Sequence, residues 1–276
     1  MDIIKKIIVF IFFIGSFQIF GQSVSFMSFN IRYDNPKDNE NSWGNRKKEL
    51  VQLIEYYHPD FLGVQEALSN QVDYIQKNCS NYHYIGIGRD GVKNGEFSAL
   101  FYDTTKFELL LSETFWLSNT PNIISKGWDA ALNRICTYGK FRKKNSKQVI
   151  YVLNTHFDHK GISARINSAK LIVNKVKSCG NRSKIVLMGD FNSTPEEKPI
   201  KILKKVLDDG MFVSEKAFYG PLGTFNGFNI SVIDKRIDYI FVQNLSVNTY
   251  RHIDDRRKNN LLVSDHFPVF VEIKLF

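Results

Sequence analysis

Short apolar runs alternate with polar breaks along most of the chain. Those at 24–29, 61–64, 82–87, 97–102, 149–154, 184–188, 237–242 and 267–273 are rich in β-branched and aromatic residues and predict strands. Between them apolar residues recur with a helical period. Leu50, Leu53, Ile54 and Tyr57 mark a helix over 46–57, with Asn45 placed to cap it. Val72, Ile75 and Cys79 mark a second over 69–79. Ala169, Ile172, Val173 and Val176 mark a third over 164–176, stopped by Gly180. TPEE at 194–197 reads as a helix start: Thr194 can cap, Pro195 suits the first helical position and Glu197 can close a capping box. Leu203, Val206 and Leu207 then supply a buried face. Strands and helices mix along the whole length, and several strands lie close enough to form hairpins. That argues against a barrel of strict β/α units and predicts two packed sheets, antiparallel or mixed, with helices outside.

The first residues differ in kind. Lys5 and Lys6 precede a nearly unbroken apolar stretch from Ile7 to Phe20, followed by Gly21, Gln22 and Ser23. A cationic start, an apolar centre and a small or polar exit predict a secretory signal peptide over residues 1–21. A retained N-terminal anchor and a buried first helix are the alternatives, but the stretch is shorter than the roughly 20 residues of a spanning helix. Ile19 is a poor fit to the small residue expected before the cut. Export to the periplasm or the medium follows, with no stable membrane insertion after cleavage. No linker, repeat or low-complexity block divides residues 24–276, so residues 22–276 read as one domain, with a monomer as the default.

Composition, 43% hydrophobic and 24% charged, is that of a globular protein and excludes a disordered chain or a coiled coil. Cys79, Cys136 and Cys179 are too few and too irregularly spaced for a disulfide framework or a thiolate metal site, although one pair can still bridge in an oxidising compartment. The net charge of +9 becomes +8 once Asp2, Lys5 and Lys6 leave, a surface that favours anionic partners. Basic runs at 142–147 and 256–258 read as solvated loops, the first a turn between strands.

Candidate chemistry sits at the ends of the apolar runs, in residues that make poor core choices. Asn30 closes the first, and Gln65 and Glu66 follow the second. His156, Asp158 and His159 follow the run at 149–154, and Asp190 and Asn192 the run at 184–188. Asp238 lies inside a strand, and Asp265 and His266 precede the last one. Each alone has an ordinary reading as a turn cap, a solvated acid or a satisfied core histidine. Together they supply what hydrolysis of a phosphate ester requires. Carboxylates suit a hard ion such as magnesium or manganese, which neutralises phosphate oxygens. A histidine exchanges protons near neutrality, and asparagine holds a phosphoryl oxygen or a water without repulsive charge.

These segments, SFNIR at 28–32, GVQEA at 63–67, NTHFDHKG at 154–161, GDFNSTP at 189–195, RIDYIF at 236–241 and SDHFPV at 264–269, resemble in content and order the endonuclease/exonuclease/phosphatase superfamily. That group includes DNase I-like nucleases, deadenylases, inositol-polyphosphate 5-phosphatases and neutral sphingomyelinases. The resemblance implies a four-layer α/β sandwich, two central sheets flanked by helices, with the site at one edge. It also implies roles. Glu66 is the principal metal ligand, with Asn30 beside it and Asp265 a second metal-side carboxylate. His156 contacts the scissile phosphate, and Asp190 orients or activates water with Asn192 as its partner. Asp238 is the carboxylate paired with His266, itself either the general base or a protonated group against the phosphate. The implied reaction is a single in-line displacement by water, dependent on Mg2+ or Mn2+.

SWGNRKKEL at 42–50, FWLSNTP at 115–121, GWDAALNRICTY at 127–138 and HFDHKGISAR at 156–165 are similar to a bacterial, secreted and little characterised branch of that superfamily. Arg134, Arg165, His159 and Trp128 are its candidates for substrate contact, with Trp116 and Asp129 near them. Core packing is the competing reading for the tryptophans, and a structural salt bridge for Arg165. A phosphodiester is the leading substrate class. Alternatives are a sugar or inositol phosphomonoester, a nucleic acid, and a non-catalytic binding protein retaining the fold. The basic charge is not gathered into one long stripe, as a duplex-binding groove would want.

Overall fold

Residues 23–275, except 230 and 232, are described by a computed structural model. The expected signal segment, residues 1–21, lies outside the described residues. Strand β1 (Ser23–Asn30) leads through helix α1 (Trp43–Tyr57) to β2 (Phe61–Gln65), which pairs with it in parallel. Helix α2 (Ser69–Asn78) precedes β3 (Tyr82–Ile85) and β4 (Leu100–Asp103). A meander of β5 (Phe107–Trp116), β6 (Ile135–Lys143) and β7 (Val149–His156) follows. Helix α3 (Ile162–Ser178) then carries the chain to β8 (Ile185–Asp190), parallel to β7. After helix α4 (Lys198–Leu203) come β9 (Asp208–Asp209), β10 (Asp238–Gln243), β11 (Ser246–His252) and β12 (Val269–Lys274).

The strands form two 6-stranded sheets, ordered β11-β12-β1-β2-β4-β3 and β5-β6-β7-β8-β10-β9. Each is mixed. Its one parallel pair is made by a strand–helix–strand crossover, and the other pairs are antiparallel.

Three apolar cores separate four layers. Val24, Phe26 and Phe61 of the first sheet meet Phe141, Val152, Val186 and Ile240 of the second, and the Phe61 and Phe141 rings lie 4.9 Å apart. The alternate residues Met27, Phe29, Leu62 and Val64 face outward to Leu50, Ile54, Val72 and Ile75 of α1 and α2. On the other side Leu153, Ile185 and Leu187 face Ala169, Ile172, Val176 and Leu203 of α3 and α4. A polar tie crosses the central core: Asn154 donates from Nδ2 to the carbonyls of Val64 and Ala99 and accepts from Gln65 Nε2 at 2.6 Å. Gly63 leaves room for it, since a Cβ there would stand 2.8 Å from the Asn154 side chain. The expected four-layer sandwich, two sheets flanked by helices, is therefore the observed one.

Local expectations shift in instructive places. Helix α1 starts at Trp43 with Ser42 as its cap position, so Asn45 lies inside the first turn, donating to Asn39 O and Ser42 Oγ. Thr194 caps nothing. Residues 194–197 form a turn in which Glu197 Oε2 accepts from Thr194 N at 2.7 Å, and α4 begins at Lys198. The fourth expected strand begins at Leu100, because Phe97 instead bridges to Ala67. Arg257, expected in a solvated loop, is buried and donates to Glu40 O and Asn41 Oδ1. The three cysteines are free, and no helix among the described residues is long and apolar enough to cross a membrane.

His252, fully buried beside the Phe218 and Tyr250 rings, is held neutral: burial pushes it down to about 4, against the pull of its Nδ1 hydrogen bond to Pro221 O. Its ordinary value is 6.5, so between 6.5 and about 4 the unfolded chain binds the proton first. The stability it contributes is full above 6.5 and is lost as pH falls toward 4. Urea unfolding across this range should cost the parent about 3 kcal/mol more than His252→Phe. Equal losses would show that His252 does not carry the acid sensitivity.

Candidate active site

Since β1 and β2 run parallel, as do β7 and β8, each crossover delivers two strand C-termini to one edge of its sheet. Asn30 ends β1 and Glu66 follows β2; His156 ends β7 and Asp190 ends β8. Asp238 opens the antiparallel β10 directly opposite Asp190, and His156 is the register partner of Asp190 on the other side. Asp265 and His266 lie just before β12, beside β1. Gly189 permits the approach of β7 to β8 at this point: a Cβ would stand 2.1 Å from Thr155 O, and its φ of +153 is one that side chains rarely adopt.

The two halves meet through Asn30. Its Nδ2 lies 3.1 Å from Glu66 Oε1, 3.0 Å from Asp190 Oδ2 and 3.4 Å from His266 Nε2. His266 bridges two carboxylates, with Nδ1 2.8 Å from Asp238 Oδ2 and Nε2 3.9 Å from Asp190 Oδ2. Asn192 donates from its backbone to Asp190 Oδ1 at 2.8 Å, and its Nδ2 reaches His156 Nε2 and the Phe157 carbonyl, each at 3.0 Å. Two of these residues turn into the cavity through left-handed backbone, Glu66 at φ 61 and Asn192 at φ 46.

Burial sets the charges. It opposes a proton on His266, but the charge and hydrogen bond of Asp238, with Asp190 and Asp265 behind them, win and push His266 up to about 10. Asp190 rises to about 7, through burial first and then the neighbouring Asp238, with His266 pulling the other way. Burial, with Arg134 and His266 nearby, holds His156 well below the usual histidine range. Asp265 rises to about 6 through burial and Glu66, against His266 and Arg32.

Glu66, His156, Asp190, Asn192, Asp265 and His266 line a cavity of about 650 Å³, with Asn30 and Asp238 behind its surface. Arg134 and His159 line it too, their Nη2 and Nδ1 atoms 3.0 Å apart. Beneath them Asp158 accepts from the backbone of Ala131, Leu132, Lys160 and Gly161, tying together the two loops that carry them. Arg165 and Trp128 are outside the lining. Arg165 instead braces the loop from behind, donating to Asp158 O and lying 3.6 Å from Glu197. Trp128 is half-buried at φ 49. Trp116 donates to Arg89 O, and Asp129 accepts from the first turn of α3. The remaining wall includes residues that no pattern along the chain singles out: Arg32, Arg89, Glu96, Phe225 and Lys235. Only the SFNIR segment touched one of them, Arg32, which Asp38 clamps at 2.8 Å.

Two groups of donors can hold a cation. Atoms of Asp190, Asp238 and His266 lie within 4.8 Å of one another, but the Asp238–His266 hydrogen bond already engages two of them. Glu66 and Asp265 offer carboxylate oxygens, the ligand type a hard divalent ion prefers, while Asn30 turns its Nδ2 to Glu66 and accepts from Arg32 N through Oδ1. The Glu66–Asp265 repulsion is also relieved by a positive charge between them. The second set fits a hard divalent cation better.

A family model described as Endonuclease/Exonuclease/phosphatase family matches residues 27–266. Protein L388 of Acanthamoeba polyphaga mimivirus is 29% identical over 250 residues, covering 83% of this chain and 91% of that protein. Probable RNA exonuclease NGL3 of Saccharomyces cerevisiae is 30% identical over 182 residues, 59% of this chain and 34% of that one. Among solved structures, a mannosyl-6-phosphatase of Bacteroides thetaiotaomicron VPI-5482 superposes with a TM-score of 0.86 at 37% identity, covering 91% and 99% of the two chains.

The left-handed backbone at Glu66 is a cost held for its side chain. In chelator, Glu66→Gly should be more stable than the parent by about 0.5–1 kcal/mol in urea unfolding, because glycine adopts this backbone freely. A loss of stability would mean that the Glu66 carboxylate serves the fold.

Proposed function

The chain belongs to the endonuclease/exonuclease/phosphatase family, and on that premise we propose that it hydrolyses a phosphate monoester of a small polyhydroxylated alcohol, using a divalent cation and direct attack by water. The observation that carries this reading is the cavity. Polar groups from both sheets converge on it, and Arg89, Glu96, Arg134 and His159 complete its wall beside His156. A space of about 650 Å³ suits a sugar phosphate better than an extended strand. Arginines and a carboxylate in that wall suit both phosphate and hydroxyl groups. Similarity to a mannosyl-6-phosphatase points the same way.

Glu66, Asn30 and Asp265 would hold Mg2+ or Mn2+, which supplies charge neutralisation on the phosphate and leaving oxygens. The remaining work falls to side chains. Asp190 faces the water and takes its proton as the water oxygen bonds to phosphorus and the alcohol oxygen departs. His266, held by Asp238, presents Nε2 to the phosphoryl oxygens, and Asn192 and His156 bind the same centre. Export to the periplasm or the medium, as a monomer, completes the reading, resting on the apolar run at 7–20.

A second reading, phosphodiester cleavage, is favoured by Phe225. Its ring is 37% exposed at the cavity wall with the Lys235 ammonium 5.6 Å from its centre, a platform on which a base can stack. A purely binding role leaves unexplained why Asp190, Asp238 and His266 are buried together.

Turnover of mannose 6-phosphate and of bis-p-nitrophenyl phosphate, each with magnesium, manganese or chelator, separates these readings. The monoester should be preferred by roughly 100-fold in kcat/KM, and chelator should abolish activity. Preference for the diester would install the second reading, and chelator-resistant turnover would remove the cation.

Asp190→Asn keeps the shape and the Asn30 contact but cannot accept a proton. It should lower kcat by roughly 1,000-fold or more with an unchanged thermal melt. A melt that falls in step with the rate would assign Asp190 to the fold.

A further inference from the structure

The end of the sandwich opposite the cavity carries its own charge pattern. The cavity lies at the C-terminal ends of β1, β7 and β8, so the N-terminal ends of these strands mark the far end, about 25 Å away along β1. There the β6–β7 turn, the start of β8 and the end of β12 come together. The acids at this end are matched: Asp60 with Lys106 at 2.5 Å, Glu108 with Arg142 at 2.7 Å and Glu215 with Lys274 at 2.6 Å. Lys144, Lys147 and Arg182 are exposed and form no ion pair among the described residues. Lys140 adds a further charge, lying 5.4 Å over the Tyr151 ring. The surface is also concave. One hollow of about 490 Å³ is lined by Ser23, Lys106 and Lys144, and another of about 400 Å³ by Lys140, Lys147 and Arg182.

Ser23 is where the described chain begins, and it lines the first hollow. Only Gly21 and Gln22 separate it from the apolar run ending at Phe20. Three peptide steps span at most about 11 Å. While that run engages a bilayer, before it is cleaved, this end of the domain stays within reach of the headgroups, on the side away from the cavity.

We propose that the basic end formed by Lys140, Lys144, Lys147 and Arg182 is a docking surface for the anionic phospholipid headgroups of a membrane. Charge complementarity and the short connection to the apolar run select this occupant over a nucleic acid, which has no reason to lie where the chain emerges. The surface is independent of the cavity's substrate.

The test uses the chain beginning at Gln22, which retains every strand, helix and core residue of the described fold. Sedimentation with phosphatidylcholine vesicles, with and without phosphatidylglycerol, reads binding. The anionic vesicles should bind the protein and release it with added salt, and the neutral ones should not. Combining Lys144→Gln, Lys147→Gln and Arg182→Gln should weaken anionic binding by roughly 100-fold, at about fivefold per charge. Hydrolysis of a soluble phosphate ester should not change. Equal binding to neutral vesicles, or a triple variant that binds as the parent does, would overturn the proposal. So would a surface that retains duplex DNA at physiological salt, through these three residues, while ignoring vesicles.

Discussion

Asp190 and Asp238 face each other across β8 and β10, both buried, at a register position where one sheet places two carboxylates side by side. Two unpaired charges that close, out of water, are strongly unfavourable. The imidazole of His266 lies between them, bonded to one through Nδ1 and facing the other through Nε2. It comes from the opposite sheet's side of the core, on the loop before β12. One imidazole therefore meets two carboxylates and joins the two sheets at the edge where the cavity opens. Asp238 and His266 keep their own 2.8 Å pairing whatever Asp190 carries, so the third member of the trio is free to serve the chemistry.

That edge is where it is because of chain direction. Each sheet owns a single parallel pair, and each pair is forced by a helix that must return the chain before the next strand starts. The two crossovers, through α1 and α3, point the ends of β1, β2, β7 and β8 at one another, and Asn30 then touches both sheets' contributions at once. Short polar residues at strand ends cost little there, because the ladder has finished and the backbone is free to turn. Glu66 and Asn192 use that freedom in left-handed backbone, a conformation neither would choose in a free peptide.

Much of this was legible in the sequence, for reasons that also explain what was not. Strands β1, β2, β7, β8 and β10 are buried on both faces and read as continuous apolar runs, and the polar residues closing them stood out by contrast. Strands β5 and β11 escaped notice. Glu108, Leu110, Leu111, Ser112 and Glu113 on β5 are exposed and its register shifts between Leu109 and Leu111, while SVNTYRH of β11 is largely polar and also shifts. Strand β6 is interrupted by Gly139 and Lys140. The cavity's outer wall was invisible for a different reason. Arg89, Glu96, Phe225 and Lys235 lie on loops with no periodicity, and their contribution depends on where distant segments fold back. Arg165 misled because its composition context, a helix start beside the HFDHKG loop, is shared by phosphate-binding and loop-bracing arginines alike.

The bracing itself bears on how the wall is held. Asp158 accepts four backbone N–H groups and sits 3.5 Å from Arg134, so it organises the loop and the arginine together. Backbone donors and Arg134 outweigh the cost of burial, and the Asp158 carboxyl falls to about 2, ionised throughout the neutral range. Arg165 closes the arrangement from behind through the Asp158 carbonyl. This part of the wall is thus fixed by charge and backbone hydrogen bonds rather than by apolar packing. Such a wall can present guanidinium and imidazole groups to a polar ligand without rearranging, so little of the binding free energy is lost in ordering it. This is the physical sense in which a loop-built surface can be as rigid as the sheets that carry the chemistry.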